Sequence, residues 1–128
     1  MQKVFVIEDE KLLRDLLMEV LRADPTLDIV GSVGDGQVGC TQCLKLKPHM
    51  VILDVLLPSL NGMKIASRLK AEMPWIKILI FLAVFKRGTL RKILKCKVNG
   101  IVEKSAGLDE LDKAIQAVAS GQKIHSIN

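Results

Sequence analysis

Five times along this chain a short apolar run is followed by a stretch whose apolar residues return every three or four positions. Lys3-Val4-Phe5-Val6-Ile7 is answered by Leu12, Leu13, Leu16, Leu17, Val20 and Leu21, and Met50-Val51-Ile52-Leu53 by Ile65, Ala66 and Leu69. Leu27 to Val33 precedes a helical stretch from Gln37 to Leu46; Ile76 to Leu82 precedes Leu90, Ile93 and Leu94; and Asn99 to Val102 precedes Leu108, Leu111, Ala114, Ile115 and Val118. Continuous apolar runs suit strands covered on both faces, and a 3.6-residue period suits helices. Asp24-Pro25, Lys47-Pro48, Met73-Pro74 and Gly121 close four of the helices. The alternation predicts an α/β fold, a single doubly wound parallel sheet of five strands and five helices joined by right-handed crossovers.

At 128 residues and 49% hydrophobic content the chain has material for one core. We expect one domain over residues 1–121, with 122–128 a C-terminal tail or the start of a linker. The longest apolar run, Ile78 to Phe85, is far short of the roughly 20 residues that span a bilayer, so no membrane partner is expected. Glu8 and Asp9 stand where a signal peptide would continue its apolar region, which predicts a cytoplasmic location. Cys40, Cys43 and Cys96 form an odd set without a second ligand pair, and the first two read as small apolar residues on a helix.

Ligands of such sheets bind at the carboxyl ends of the strands. Here those ends carry Glu8-Asp9-Glu10, Asp54, Leu82-Ala83 and Glu103-Lys104. Carboxylates gathered in one crevice repel each other, and a hard divalent cation with oxygen ligands is the usual compensation. Mg²⁺ fits, with Asp9 and Asp54 as direct ligands and Glu8 acting through water. Lys104 adds a mobile positive charge suited to a phosphoryl oxygen. A carboxylate nucleophile, a metal and a lysine are the parts that phosphoryl transfer to an aspartate needs, and Asp54 takes the role of nucleophile. The bland alternatives are Asp54 as a helix cap and Lys104 as a surface lysine.

The motifs are recognisable together. Val6-Ile7-Glu8-Asp9-Glu10, Leu53-Asp54-Val55-Leu56-Leu57-Pro58-Ser59-Leu60-Asn61-Gly62 and Val102-Glu103-Lys104-Ser105-Ala106 resemble the acidic-pair, phosphoacceptor and lysine motifs of response regulator receiver domains. Gly100 to Leu111 with Ala119-Ser120-Gly121-Gln122 looks most like receivers that precede a LuxR-type helix-turn-helix output domain. The resemblance implies strand order 2-1-3-4-5, a flavodoxin-like sheet, and Mg²⁺ at Glu8, Asp9, Asp54 and the backbone carbonyl of Leu56. It also implies phosphorylation of Asp54 by a sensor histidine kinase in two-component signalling. A C-terminal DNA-binding output domain beyond this chain and a homodimer are the further partners it suggests. No reaction on an external substrate is expected, only Mg²⁺-dependent phosphoryl acceptance and autodephosphorylation.

Two positions depart from the family. Leu82 stands where members carry Thr or Ser on the fourth strand, and Ile101 where the fifth strand carries the switch aromatic. The first removes a hydroxyl that would bond a phosphoryl group, the second a ring whose rotamer reports the phosphorylated state. The alternative is therefore a phosphorylation-independent pseudo-receiver, an interaction module using Leu82, Ile101 and the basic segment 86–97 as a fixed surface. A third reading rests on Gly34-Asp35-Gly36-Gln37-Val38-Gly39, formally a dinucleotide fingerprint, which sits after the second strand rather than the first and leaves Glu8 and Lys104 without a role. Charge is uneven as well. Residues 1–35 hold eight acids and four bases, residues 36–98 two acids and twelve bases, a bias that can draw an acidic partner.

Overall fold

The computed structural model describes residues 1–55, 61–82 and 87–126. In chain order the elements are β1 (Gln2–Ile7), α1 (Lys11–Arg22), β2 (Leu27–Val33), α2 (Gly36–Leu46), β3 (Met50–Asp54), α3 (Gly62–Glu72), β4 (Lys77–Leu82), α4 (Arg87–Lys95), β5 (Gly100–Glu103), a single 3₁₀ turn (Lys104–Ala106), α5 (Leu108–Ala119) and β6 (Ile124–Ser126). The sheet runs β2-β1-β3-β4-β5-β6, every neighbouring pair parallel. The five expected strands thus stand in the expected order, 2-1-3-4-5. A sixth extends the edge: Ile124–Ser126 pairs with Gly100–Val102, so the segment expected as tail or linker contributes a strand.

The apolar runs divide by the two-residue period of a strand. Phe5, Ile7, Val51, Leu53, Ile78, Ile80, Leu82 and Ile101 face one side, packed on Cys40 and Cys43 of α2, Ile65 and Leu69 of α3 and Ile93 of α4. Val4, Val6, Ile52, Leu79, Phe81 and Val102 face the other, against Leu17 and Leu21 of α1 and Leu111, Ile115 and Val118 of α5. Two cores therefore lie on either side of one sheet, which explains why the strands show no polar alternation in sequence. Burial raises the Cys40 thiol above its ordinary range and pushes Cys43 to about 12, so both behave as apolar side chains.

Asp35 caps α2, its side chain accepting a hydrogen bond from Val38 N at 2.9 Å. The formal fingerprint is thus a capped helix start beside β2, the edge strand. Among the described residues no helix is long and apolar enough to cross a membrane.

Candidate functional site

Register builds the site. Ile7 pairs with Leu53, and Asp54 with Phe81, so Glu8 just beyond β1 meets Asp54 at the end of β3. Leu82 pairs with Glu103, which carries Lys104 to the same edge. Glu8, Asp9 and Asp54 each turn a carboxylate oxygen into a cluster whose atoms all lie within 4.8 Å of one another. Lys104 Nζ donates to Asp54 Oδ2 at 3.1 Å and lies 2.9 Å from Glu8 Oε1, with the Phe81 ring centroid 5.7 Å away. All four residues expected to do chemistry are brought together.

Glu8 is 1% and Asp54 4% exposed, whereas Asp9 faces solvent. Burial, and after it the contact with the Asp54 carboxyl, pushes Glu8 up to about 8, while Lys104 pulls in the opposite direction. Asp9 is lowered: desolvation is the largest single influence and would raise it, but contacts with Glu8 and Asp54, its own backbone and the Lys104 charge together outweigh that. Burial alone would lower Lys104, but the neighbouring Glu8 and Asp54 carboxyls hold it above the ordinary lysine value. Glu8 Oε1 touches Lys104 Nζ off hydrogen-bond alignment, so this buried oxygen has no hydrogen-bond partner among the described residues. An acceptor left over in a carboxylate cluster fits a divalent cation of the Mg²⁺ kind.

The β3–α3 junction fixes the approach to Asp54. Asn61 caps α3 by accepting from Met63 N at 2.7 Å, and Gly62 N donates to Val55 O at 3.0 Å. A Cβ on Gly62 would stand 2.4 Å from Asp54 O and 2.7 Å from Val55 Cα, both backbone atoms that cannot give way. Leu56, the expected carbonyl ligand, lies outside the described residues, as do 57–60, Ala83 and Lys86.

Leu82 and Ile101 are 1% and 0% exposed and belong to the core beneath α4. The alternative reading places them on a fixed outer surface; their burial instead puts them in the core cluster that also holds Ile93. Two contributors escaped sequence reasoning. Arg14 Nη1 donates to Glu8 O at 2.8 Å, bracing the backbone beneath the acidic pair, and Phe81 lies beside Lys104. Arg14 carried a weak signal, being one helical turn beyond Glu10 on the sheet-facing side of α1.

A doubly wound parallel sheet with its polar cluster at the carboxyl edge belongs to the class of α/β domains that bind ligands at that edge. Within that class, the sequence profile of the response regulator receiver domain matches residues 4–116, and the chain belongs to that family. It is 30% identical over 97% of its length to the DNA-binding transcriptional activator DevR/DosR of Mycobacterium tuberculosis, and 28% identical over 96% to the response regulator GacA of Pseudomonas protegens. The chain spans 57% and 58% of those two proteins. Its fold is similar to the isolated REC domain of RcsB from Salmonella enterica serovar Typhimurium, with TM-score 0.90, 22% identity and coverage of 97% of this chain and 92% of that one. It is also similar to a two-component response regulator of the LuxR family from Aurantimonas sp., with TM-score 0.89, 21% identity and coverage of 97% and 89%.

Proposed function

We propose that Asp54 accepts a phosphoryl group from a phosphohistidine of a sensor histidine kinase, and that this chain is the receiver of a two-component pathway. The observation that carries the reading is Lys104 Nζ held between Asp54 Oδ2 and Glu8 Oε1, at 3.1 and 2.9 Å, in a cluster of three carboxylates. An Asp54 carboxylate oxygen attacks phosphorus, the phosphorus–nitrogen bond breaks, the imidazole leaves with the bonding pair, and an acyl phosphate forms. Lys104 is already adjacent and can move its charge from a carboxylate to a phosphoryl oxygen without crossing the site. Glu8, Asp9 and Asp54 would hold Mg²⁺, with the Leu56 carbonyl added from the family resemblance. A cation held there would supply positive charge against that developing on the phosphoryl oxygens.

The altered switch belongs to the same proposal. With Leu82 and Ile101 buried among Ile93 and Val98, response to phosphorylation passes through apolar packing under α4 rather than through a hydroxyl. The second reading, a phosphorylation-independent module with its contact surface elsewhere than these buried residues, is favoured only by Leu82 offering a phosphoryl group no hydrogen bond. Likeness to a transcriptional activator of which this chain spans 57% supports a DNA-binding output domain downstream. Thermal unfolding with Mg²⁺ and beryllofluoride tests the receiver reading, since a ligand bound only by the native state raises stability. We expect a rise of several degrees in the wild type and none in Asp54→Asn. An unchanged midpoint at millimolar ligand would leave the phosphorylation-independent module standing.

A further inference from the structure

The basic middle of the chain, outside the phosphoryl site, is gathered by the fold into one furrow. Three adjoining cavities of about 590, 300 and 540 Å³ follow α3 from Met63 to Pro74. The first two share Ser67, Lys95 and Cys96, and the last two share Lys70 and Lys97, so they form a continuous track. Lys64 and Arg68 of α3 rim its upper part, facing Lys92 and Lys95 of α4. Lys70, Lys97 and Lys123 surround its lower end. Among the described residues no acid lines any of the three cavities, and the ion pair at their rim is Arg68 with Glu72 at 3.7 Å, between exposed side chains. Lys64, Lys92 and Lys95 make no ion pair among the described residues.

Between these rims the floor is apolar or weakly polar. It is formed by half-buried Met63 and Cys96, with Cys96 Sγ 3.2 Å from Ser67 Oγ. Among the described residues no aromatic ring lines the furrow to stack a nucleobase, and a phosphate backbone alone would leave the floor uncovered. A peptide that alternates carboxylates with apolar side chains satisfies rims and floor together.

We infer that the furrow between α3 and α4 is a docking groove for an acidic, amphipathic segment of a partner protein. Carboxylates of that segment pair with the rim lysines and Arg68, and its apolar side chains lie on Met63 and Cys96. The inference stands on its own observations and holds whether or not Asp54 is phosphorylated.

The test titrates the 128-residue chain against a fluorescein-labelled helical peptide of about 15 residues carrying a Leu stripe flanked on both sides by Glu. Fluorescence anisotropy should report saturable binding that fades as salt is raised towards about 0.5 M, where surface charge is screened. Affinity should fall about tenfold or more in Lys92→Glu/Lys95→Glu, whose side chains are exposed, and hold in Lys11→Glu on α1. Lys64→Glu/Arg68→Glu alters the other rim and gives the same reading if the first variant unfolds in a circular dichroism melt. No saturation at millimolar peptide, equal affinity in both rim variants, or displacement of the peptide by a single-stranded DNA oligonucleotide that binds more tightly would overturn it.

Discussion

Glu8→Gln in Mg²⁺-free protein should make the domain more stable at neutral pH, although Glu8 is part of the proposed site. The carboxyl is 1% exposed and its ionisation is pushed from 4.5 to about 8, first by burial and then by Asp54 beside it. A folded-state value raised above the unfolded one means that the neutral form stabilises the fold. That contribution is complete below about pH 4.5 and is lost as pH rises through about 8. In the intervening window stability falls by at most about 1.4 kcal/mol per pH unit, which accumulates to about 3 kcal/mol at pH 7. Gln keeps the shape and cannot ionise, and Lys104 keeps its bond to Asp54 at 3.1 Å. Urea unfolding from about pH 5 to 9 in chelator, wild type against variant, isolates the effect as a difference curve. The difference should grow with pH in favour of Glu8→Gln. A flat difference, or a less stable variant at pH 7, would refute the electrostatic account of the cluster.

Mg²⁺ should raise the wild-type melting temperature more at about pH 8.5 than at about pH 6, because at the lower pH it must displace the Glu8 proton; differential scanning calorimetry at both values reads this. Gly62→Ala places a methyl group 2.4 Å from Asp54 O, and should cost about 1–3 kcal/mol in urea unfolding and slow phosphoryl acceptance by shifting the Asp54 backbone. Leu82→Ala, at a position 1% exposed, should cost about 2–5 kcal/mol, whereas a surface role would make it nearly neutral.

The site was legible where charge interrupts apolar sequence. Asp54 after Met50-Val51-Ile52-Leu53, the acids after β1 and Lys104 after β5 mark strand ends because a charge halts a fully covered strand. Less legible was anything set by register or by long-range packing. The fourth strand was expected to end at Leu82 and does, but an apolar run cannot say which helix covers its last residue, so a surface role for Leu82 stood as an alternative that its burial under α4 excludes. The period of Ile65, Ala66 and Leu69 does not say where α3 begins; it starts at Gly62, where the Asn61 side chain supplies the cap. Nothing in Ile124-His125-Ser126 distinguishes a three-residue edge strand from a tail until β5 is there to pair with it.

The measurement closest to the central claim is intact-mass analysis after incubation with acetyl phosphate and Mg²⁺. The account predicts a gain of one phosphoryl group, sensitive to hydroxylamine as an acyl phosphate must be, absent in Asp54→Asn and strongly reduced in Lys104→Ala. Wild-type protein that gains no phosphoryl group, or Asp54→Asn protein that still gains one, would contradict it.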